Sequence, residues 1–202
     1  STIDEAKKLL NLTHEADVKV QIGNVERFNP AFTALVPLID HPICIETNRM
    51  LKFDINKTFN SVVLDLMIHD LDLILSIVNS NVRKVNAHGL ALTNGSPDYV
   101  HARIEFDNGC VATLSASRIS FKDDINLTVY QKDSTYFVDL LNKKCETLNI
   151  KGIKNLKVDR GSVNPNELYF NYPQIKESNI IKEELNGFAK AIINNTDTPV
   201  TI

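Results

Sequence analysis

Residues 62–78, VVLDLMIHDLDLILSIV, constrain the fold of this chain more than any other stretch. On a helix that turns about 100° per residue, four polar positions fall on one stripe roughly 60° wide. They are Asp65, His69, Asp72 and Ser76. Asp70 lies on the far side, and every other position is Val, Leu, Ile or Met. A mostly apolar helix with one thin polar stripe is expected to be largely buried.

The polar stripe has two interpretations. Burying carboxylates and an imidazole is costly unless each group finds a partner. In the first interpretation this is a core helix whose polar residues are satisfied by caps and backbone. In the second, the stripe lines a functional site. The sequence favours the second, because four aligned polar positions are hard to explain as accidents.

Composition narrows the classes of protein. The 202 residues suffice for one large domain or two small ones, with 43% hydrophobic and 23% charged residues. A net charge of −3 without a basic cluster argues against nucleic-acid binding. Three Asp and one His within 62–78 argue against a membrane span. Three widely spaced cysteines fit reduced thiols, and no signal peptide opens the chain. We therefore expect a soluble cytoplasmic protein.

The first third of the chain alternates helices and strands. Residues 3–16 predict a helix, with Thr2 as N-cap and Glu5 as its capping-box partner. Residues 18–23 predict a short strand, so the chain is expected to begin inside a larger α/β domain. Residues 25–39 predict a helix that Asn24 or Asn29 caps, with Pro30 in its first turn. Residues 43–51 predict a strand, and Asn60 or Ser61 is expected to cap the central helix.

The second half changes to the period of strands. Asp107-Asn108-Gly109 is a strong hairpin signal. Residues 151–177 predict a long loop, and 180–195 a final helix. The strand predictions cover 82–92, 99–106, 110–119, 125–131, 134–141 and 144–150. Short consecutive strands with tight turns predict an α+β fold: an open, mostly antiparallel sheet of about six strands with helices packed on one face.

The same patterns predict which side chains face inward. Tyr99, His101, Arg103 and Glu105 alternate with apolar residues and are expected on the sheet face away from the core. The final helix is expected to direct four apolar residues inward: Ile181, Leu185, Phe188 and Ile192.

Asp65 and His69 are the candidate catalytic pair. One helical turn separates them, and a carboxylate near an imidazole suits acid–base chemistry at neutral pH. Asp72 is the only further ligand on the stripe, so no metal site is expected. Arg27 and Arg49 suit an anionic or polyhydroxylated ligand, although surface salt bridges explain them equally well. No glycine-rich nucleotide motif is present.

With these residues in view, the chain resembles the glucose–fructose oxidoreductase / inositol dehydrogenase (Gfo/Idh/MocA) family. The supporting segments are Arg27-Phe28-Asn29-Pro30, Asp65-x-x-x-His69-Asp70-x-Asp72, the Phe106–Cys110 hairpin and Ala116-Ser117-Arg118. The resemblance covers essentially the whole chain.

The resemblance implies a division of the chain and a set of roles. Residues 1–24 would be a helix and strand left from an N-terminal Rossmann domain, and 25–202 a dihydrodipicolinate reductase-like C-terminal domain for substrate binding and oligomerisation. His69 would be the acid–base residue, and Asp65 would orient substrate and the nicotinamide of NAD or NADP. Arg27, Asn29 and Arg49 would contact a sugar-like substrate.

The chain also departs from the family pattern. The glycine-rich loop and a Glu-Lys-Pro lysine are missing, and that lysine would fall just before Ser1. The resemblance therefore implies a fragment of a dehydrogenase that is inactive alone. The open sheet face is expected to form a homodimer or homotetramer. The competing hypothesis is a non-catalytic dimerisation or ligand-sensing module with the same fold. The sequence names neither the substrate nor the choice between NAD and NADP.

Overall fold

A computed structural model describes residues 2–54, 61–93, 95–150 and 168–201 of the chain. Its α-helices are α1 (Ile3–Ala16), α2 (Pro30–Leu35), α3 (Ile68–Ile77) and α4 (Ile180–Ile193). A π-helical turn, Val63–Met67, leads into α3, and 3₁₀ turns cover Val25–Phe28 and Val36–Leu38. In the described part of the chain, no helix is long and apolar enough to span a membrane.

The strands form one sheet. They are β1 (Cys44–Lys52), β2 (Val82–Leu90), β3 (Tyr99–Phe106), β4 (Val111–Ser120), β5 (Asp124–Tyr130), β6 (Ser134–Asp139), β7 (Lys144–Ile150) and β8 (Leu168–Asn171). The order across this 8-stranded sheet is β2-β3-β4-β1-β5-β6-β7-β8. Every neighbouring pair is antiparallel except β1 and β4. The predicted open, mostly antiparallel sheet is confirmed, although it has eight strands and not about six.

The hairpin between β3 and β4 forms where the sequence predicts it. Gly109 adopts a φ of 86°, which L-residues with a side chain rarely do. Its amide donates to the Phe106 carbonyl at 3.1 Å, and the Phe106 amide donates to the Cys110 carbonyl at 2.9 Å. Asn108 and Gly109 therefore close the turn as the Asn-Gly signal indicates.

One face of the sheet carries the core. In β3 the even positions Val100, Ala102, Ile104 and Phe106 are buried, whereas the odd positions face away from the core. The alternation predicted for this strand is confirmed. The buried side chains of the central strands pack with Phe32 and Leu35 of α2 and Leu73 and Ile74 of α3.

Helix α1 begins as its sequence predicts. Thr2 Oγ1 accepts from the Glu5 amide at 3.2 Å, and Glu5 accepts from the Thr2 amide at 2.7 Å. This reciprocal pair satisfies two donors that the helix cannot satisfy itself. Asn29 caps α2 in the same manner by accepting from the Ala31 amide at 3.1 Å, and Pro30 occupies the first turn.

The strand predicted over 18–23 is wrong, because this described segment belongs to no sheet. It makes isolated bonds with the end of the chain instead. The Ile22 amide donates to the Val200 carbonyl at 3.2 Å, and Thr198 Oγ1 donates to the Val20 carbonyl at 3.1 Å. A β-branched run favours extended backbone, but a strand also needs a partner ladder.

The loop predicted over 151–177 is also partly wrong. Residues 151–167 lie outside the described residues, as does Asn60. Leu168–Asn171 is strand β8 and pairs antiparallel with β7, with Leu148 opposite Phe170. The strand is only 4 residues long. Its few apolar residues lie between polar segments, so the sequence pattern does not indicate a strand.

Helix α4 presents a different side inward from the one predicted. Three residues of its expected core face are exposed: Ile181 (62%), Leu185 (61%) and Ile192 (53%). Ala191 is the buried residue of this helix. On the packed side, a Cβ added to Gly187 would lie 3.1 Å from Pro199 Cγ and 3.5 Å from Phe28 Cε1. Periodicity locates an apolar stripe, but the neighbouring elements, here the side chains of Pro199 and Phe28 beside Gly187, decide which side packs.

Candidate active site

The central helix is not a regular α-helix. The Ile68 amide donates to the Val63 carbonyl, an i to i−5 bond, so Val63–Met67 is a π turn. Such turns are rare and often occur at functional sites. Ser61 supports its start, because Ser61 Oγ accepts from the Val63 amide at 3.3 Å and the Ser61 carbonyl accepts from the Asp65 amide at 2.9 Å.

The two carboxylates Asp65 and Asp70 of this helix differ in exposure. Asp65, inside the π turn, is exposed, whereas Asp70 is buried at 1% exposure. Asp70 was placed on the far side of the helix from the polar stripe, and it is the carboxylate of this helix that lies in the core. The expectation of a largely buried helix fails in part, since Leu64 and Leu75 are exposed. A single periodicity of about 100° per residue does not describe a helix that contains an i to i−5 turn.

Asp70 belongs to a buried ionic network on the core side of the sheet. Arg49 of β1 donates from Nε to both Asp70 oxygens at 3.1 Å and from Nη2 at 2.8 Å. Its Nη1 donates to Glu26 at 3.1 Å, and Asn29 Nδ2 also donates to Glu26 at 3.1 Å. Burial raises the pKa of Asp70 above its ordinary value, and Arg49 opposes that shift. The network fixes α3 to β1 and to the Val25–Phe28 turn.

A second ion pair joins the same elements. Arg27 donates to both carboxylate oxygens of Asp72, each at 2.7 Å. Asp72 is thus a structural partner of the turn that precedes α2. In this structure the guanidinium groups of Arg27 and Arg49 are both bound to carboxylates. Substrate contact by Arg27, Asn29 and Arg49 stays a prediction, and the structure shows that all three residues hold the fold.

His69 directly precedes Asp70 on α3, in the same part of the helix as both ion pairs. Its ring is half-buried, and Nδ1 is buried with no hydrogen-bond partner among the described residues. Buried polar atoms nearly always have partners, and an exception calls for an explanation such as a catalytic role or a missing ligand. The ion pairs of Asp70 and Asp72 hold the part of the helix that carries this unpartnered nitrogen.

Asp65 lines a cavity of about 420 Å³ at the end of β1 where that strand leaves the sheet. The walls include Lys52, Phe53, Arg118 and Asp123. The Lys52 amide donates to Asp123 Oδ1 at 2.7 Å, which holds that carboxylate in the wall. The volume falls in the range of small-molecule sites, roughly 300–1,000 Å³. The cavity carries both hydrogen-bond donors and acceptors.

Sequence reasoning gave Arg118 and Asp98 no role. Arg118 is 6% exposed, and Asp98 is completely buried, with Arg118 Nε 3.8 Å from Asp98 Oδ1. One signal was available: Ala112, Leu114 and Ala116 of β4 are buried, and Arg118 continues their parity. A charged residue at a position that the alternation assigns to the interior is an indication of function.

The residues that the structure describes favour neither a metal site nor a nucleophilic thiol. Among residues 2–54, 61–93, 95–150 and 168–201, no group of three or more His, Cys, Asp or Glu side chains is placed to hold a metal ion. The three cysteines are free thiols. Burial raises the pKa of Cys110 to about 11, and neighbouring Cys44 adds to that shift. Cys110 is thus protonated at neutral pH and unsuited to act as a nucleophile.

Comparison with known proteins defines the class. Residues 47–136 match the family model described as the GFO/IDH/MocA C-terminal domain. This region runs from β1 through the π turn and α3 into β6, so it contains both candidate catalytic residues. The chain belongs to the Gfo/Idh/MocA family of oxidoreductases.

Individual relatives are dehydrogenases. The chain is 31% identical over 140 residues to UDP-N-acetylglucosamine 3-dehydrogenase of Acidithiobacillus ferrooxidans. The aligned region covers 69% of this chain and 45% of that protein. A solved structure of the same enzyme superposes with a TM-score of 0.86 at 25% identity, over 96% of this chain and 60% of that one. scyllo-Inositol 2-dehydrogenase (NAD(+)) of Bacillus subtilis is 27% identical, over 75% of this chain and 49% of that protein. The chain spans about half the length of these two curated relatives.

Proposed function

We propose that this chain is the substrate-binding and catalytic domain of an NAD(P)-dependent oxidoreductase that acts on a secondary alcohol of a sugar, cyclitol or sugar nucleotide. The observation that carries the proposal is His69, whose buried Nδ1 lacks a described partner on a helix held by two ion pairs. The family and the dehydrogenase relatives support it.

In this proposal His69 is the general base. The imidazole receives the hydroxyl proton while the carbinol carbon becomes a carbonyl carbon, and it returns a proton in the reverse direction. A bound nicotinamide would supply the hydride acceptor for the carbinol hydrogen. Asp65, exposed at the cavity, would orient the substrate and the nicotinamide ring.

The residues of this chain fit the nicotinamide end of the cofactor and not its phosphate groups. His69 offers an unpartnered buried nitrogen, and Asp65 an exposed carboxylate on the same helix. The sequence contains no glycine-rich phosphate-binding loop, so a separate Rossmann domain would bind the rest of NAD or NADP. In this proposal residues 1–24 belong to that domain and 25–202 to the substrate domain. The 202 residues alone would not turn over.

The test uses the full-length protein with UDP-N-acetylglucosamine and scyllo-inositol, each with NAD⁺ and with NADP⁺. Absorbance at 340 nm reports the reduced nicotinamide. We expect turnover with at least one pair, and a loss of about 10²–10⁴ in kcat for His69→Ala, the range for a positioned acid–base group. His14→Ala, an exposed histidine of α1, is the matched control. Unchanged turnover in His69→Ala would remove the histidine from the mechanism, whereas no turnover of either compound by the wild-type protein would favour a non-catalytic module.

We further propose that the sheet face away from the helices binds a second copy of the chain. This face carries Tyr99, His101 and Arg103 and the exposed aromatic residues Tyr130 and Phe137. Exposed aromatic side chains are enriched at protein interfaces. Light scattering of the full-length protein should report a dimer or tetramer, and Phe137→Glu should shift it toward monomer. A wild-type monomer at high concentration would contradict this assignment.

A further inference from the structure

We propose that Arg118, held in place by Asp98, is a substrate-binding residue of the cavity beside Asp65, and that this cavity accepts an uncharged polyhydroxylated ring. The proposal deepens the proposed function and rests on it for the reaction. It adds the residues that bind the ring and excludes a polyanionic group from this part of the site.

Arg118 reaches the cavity because of its position in β4. The strand directs Ala112, Leu114 and Ala116 into the core, and Arg118 continues that face near the end of the strand. Arg118 lies within an irregularity of the β1–β4 pairing, where the register shifts between the Met50–Ser117 and Lys52–Ser120 pairs. The long guanidinium side chain therefore lies where the sheet ends and the cavity begins, and it forms part of the cavity wall with Asp65.

Asp98 holds Arg118 through two kinds of contact. The Arg118 amide donates to the Asp98 carbonyl at 3.0 Å, and the guanidinium lies 3.8 Å from the Asp98 carboxylate. The same carboxylate accepts from the Leu92 amide at 2.7 Å, the Thr93 amide at 2.9 Å and Thr93 Oγ1 at 2.8 Å. Asp98 is thus a fixed anion, and Arg118 is oriented before any ligand arrives. Such support is what a precise binding site requires.

The charges around the cavity select the ligand class. Three carboxylates line it, from Asp54, Asp65 and Asp123, against two cations, Lys52 and Arg118. This excess of acidic groups disfavours a polyanion. Carboxylates accept hydrogen bonds and guanidinium groups donate them, so together they suit neighbouring hydroxyls of one ring. Phe53 adds an apolar side chain, half of which is exposed. Where the substrate carries a diphosphate, that group would lie outside this cavity.

The test combines binding and kinetics on the full-length protein. Calorimetry measures the affinity for scyllo-inositol and UDP-N-acetylglucosamine without a cofactor, and turnover assays give kcat and KM. We expect Arg118→Gln to weaken binding and raise KM at least tenfold, with kcat changed less than threefold. Arg118→Lys should recover part of the affinity, because lysine keeps the positive charge but lacks the planar set of guanidinium donors. Asp98→Asn should raise KM in the same direction by a smaller factor, since it acts through Arg118.

Arg83→Gln is the matched control, because Arg83 is exposed on β2 and pairs with Glu105. It should leave binding and KM unchanged. Circular dichroism of each variant excludes loss of the fold, and if Arg118→Gln unfolds, Arg118→Lys and Asp98→Asn decide the question. Unchanged KM and affinity in the folded Arg118 and Asp98 variants would overturn the proposal.

The results of these assays distinguish the proposed role of Arg118 from the proposed dehydrogenase activity. Binding that needs Arg118, without turnover, would retain the polyol site and reject the dehydrogenase. Turnover that needs His69 but not Arg118 would retain the dehydrogenase and reject this role for Arg118. Absence of both binding and turnover for both compounds would count against both proposals. Inorganic pyrophosphate is the charge probe, and its binding in competition with scyllo-inositol would contradict an uncharged ring site.

Discussion

Two buried arginines lie on neighbouring strands of the sheet and have different surroundings. Arg49 of β1 lies opposite Ala116 of β4, two residues before Arg118. All three guanidinium nitrogens of Arg49 donate to Asp70 or Glu26. Arg118 lies 3.8 Å from one carboxylate and forms part of a cavity wall. Burial of a cation does not by itself mark a binding site. The distinction comes from whether a cavity lies beside it.

The largest effect should come from breaking the Arg49 network. We expect Arg49→Met to lower the free energy of unfolding by about 3–5 kcal/mol, because it leaves Asp70 buried and unpaired. Urea unfolding followed by circular dichroism measures this loss. In the double variant Arg49→Met/Asp70→Leu the buried charge is gone, so much of the stability should return. A double variant no more stable than the single one would show that the network does more than neutralise Asp70.

A smaller effect is expected at the pair between Arg27 and Asp72. This pair is partly exposed, with side-chain exposures of 29% and 11%, so solvent screens it. A double-mutant cycle with Arg27→Gln and Asp72→Asn should give a coupling energy of about 1 kcal/mol or less. A coupling as large as the loss in Arg49→Met would mean that the two anchors of α3 are equivalent, contrary to their burial.

The smallest effect concerns a single carboxylate on the outer sheet face. Hydrogen bonds from Arg83 and Arg103 lower the pKa of Glu105 from 4.5 to about 2. Because the folded value is depressed, its stabilising contribution is present above about pH 4.5 and is lost as the pH falls toward 2. NMR titration of the Glu105 carboxyl carbon should show this value and a rise in Arg83→Gln. A titration near 4.5 in the wild-type protein would contradict the ion pairs seen here.

Much of the architecture was predictable because short-range chemistry specifies it. The capping box of α1, the Asn29 cap, the Asn-Gly hairpin and the alternation of β3 depend on residues a few positions apart. Each of these was predicted and is observed, except that the sequence left the cap open between Asn24 and Asn29. The misses at 18–23 and in α4 share one cause. A strand needs a ladder and an apolar helix face needs a cover, and neither partner can be read from the segment itself.

The same distinction between short-range features and long-range partners applies to the residues of the candidate site. Asp65 and His69 were identifiable as a pair because helical spacing and residue chemistry are local properties. The pairing of Asp70 with Arg49 was not, since the two residues lie 21 positions apart in the sequence. Arg118 carried a weak signal as a charged residue at an inward position. Asp98 carried none, because its partner Arg118 lies on β4 and only the tertiary structure brings the two residues together.

The sequence by itself determined the helix that carries His69, the open antiparallel sheet and the resemblance to one dehydrogenase family. These follow from periodicity, turn chemistry and motif spacing, which act over a few residues. Tertiary structure decided which charges are anchors and which line the cavity. Arg49 and Arg118 are the same residue type on adjacent strands, and only packing determines what each guanidinium group meets. A charge in the interior requires a partner, and the partner's position is a property of the fold.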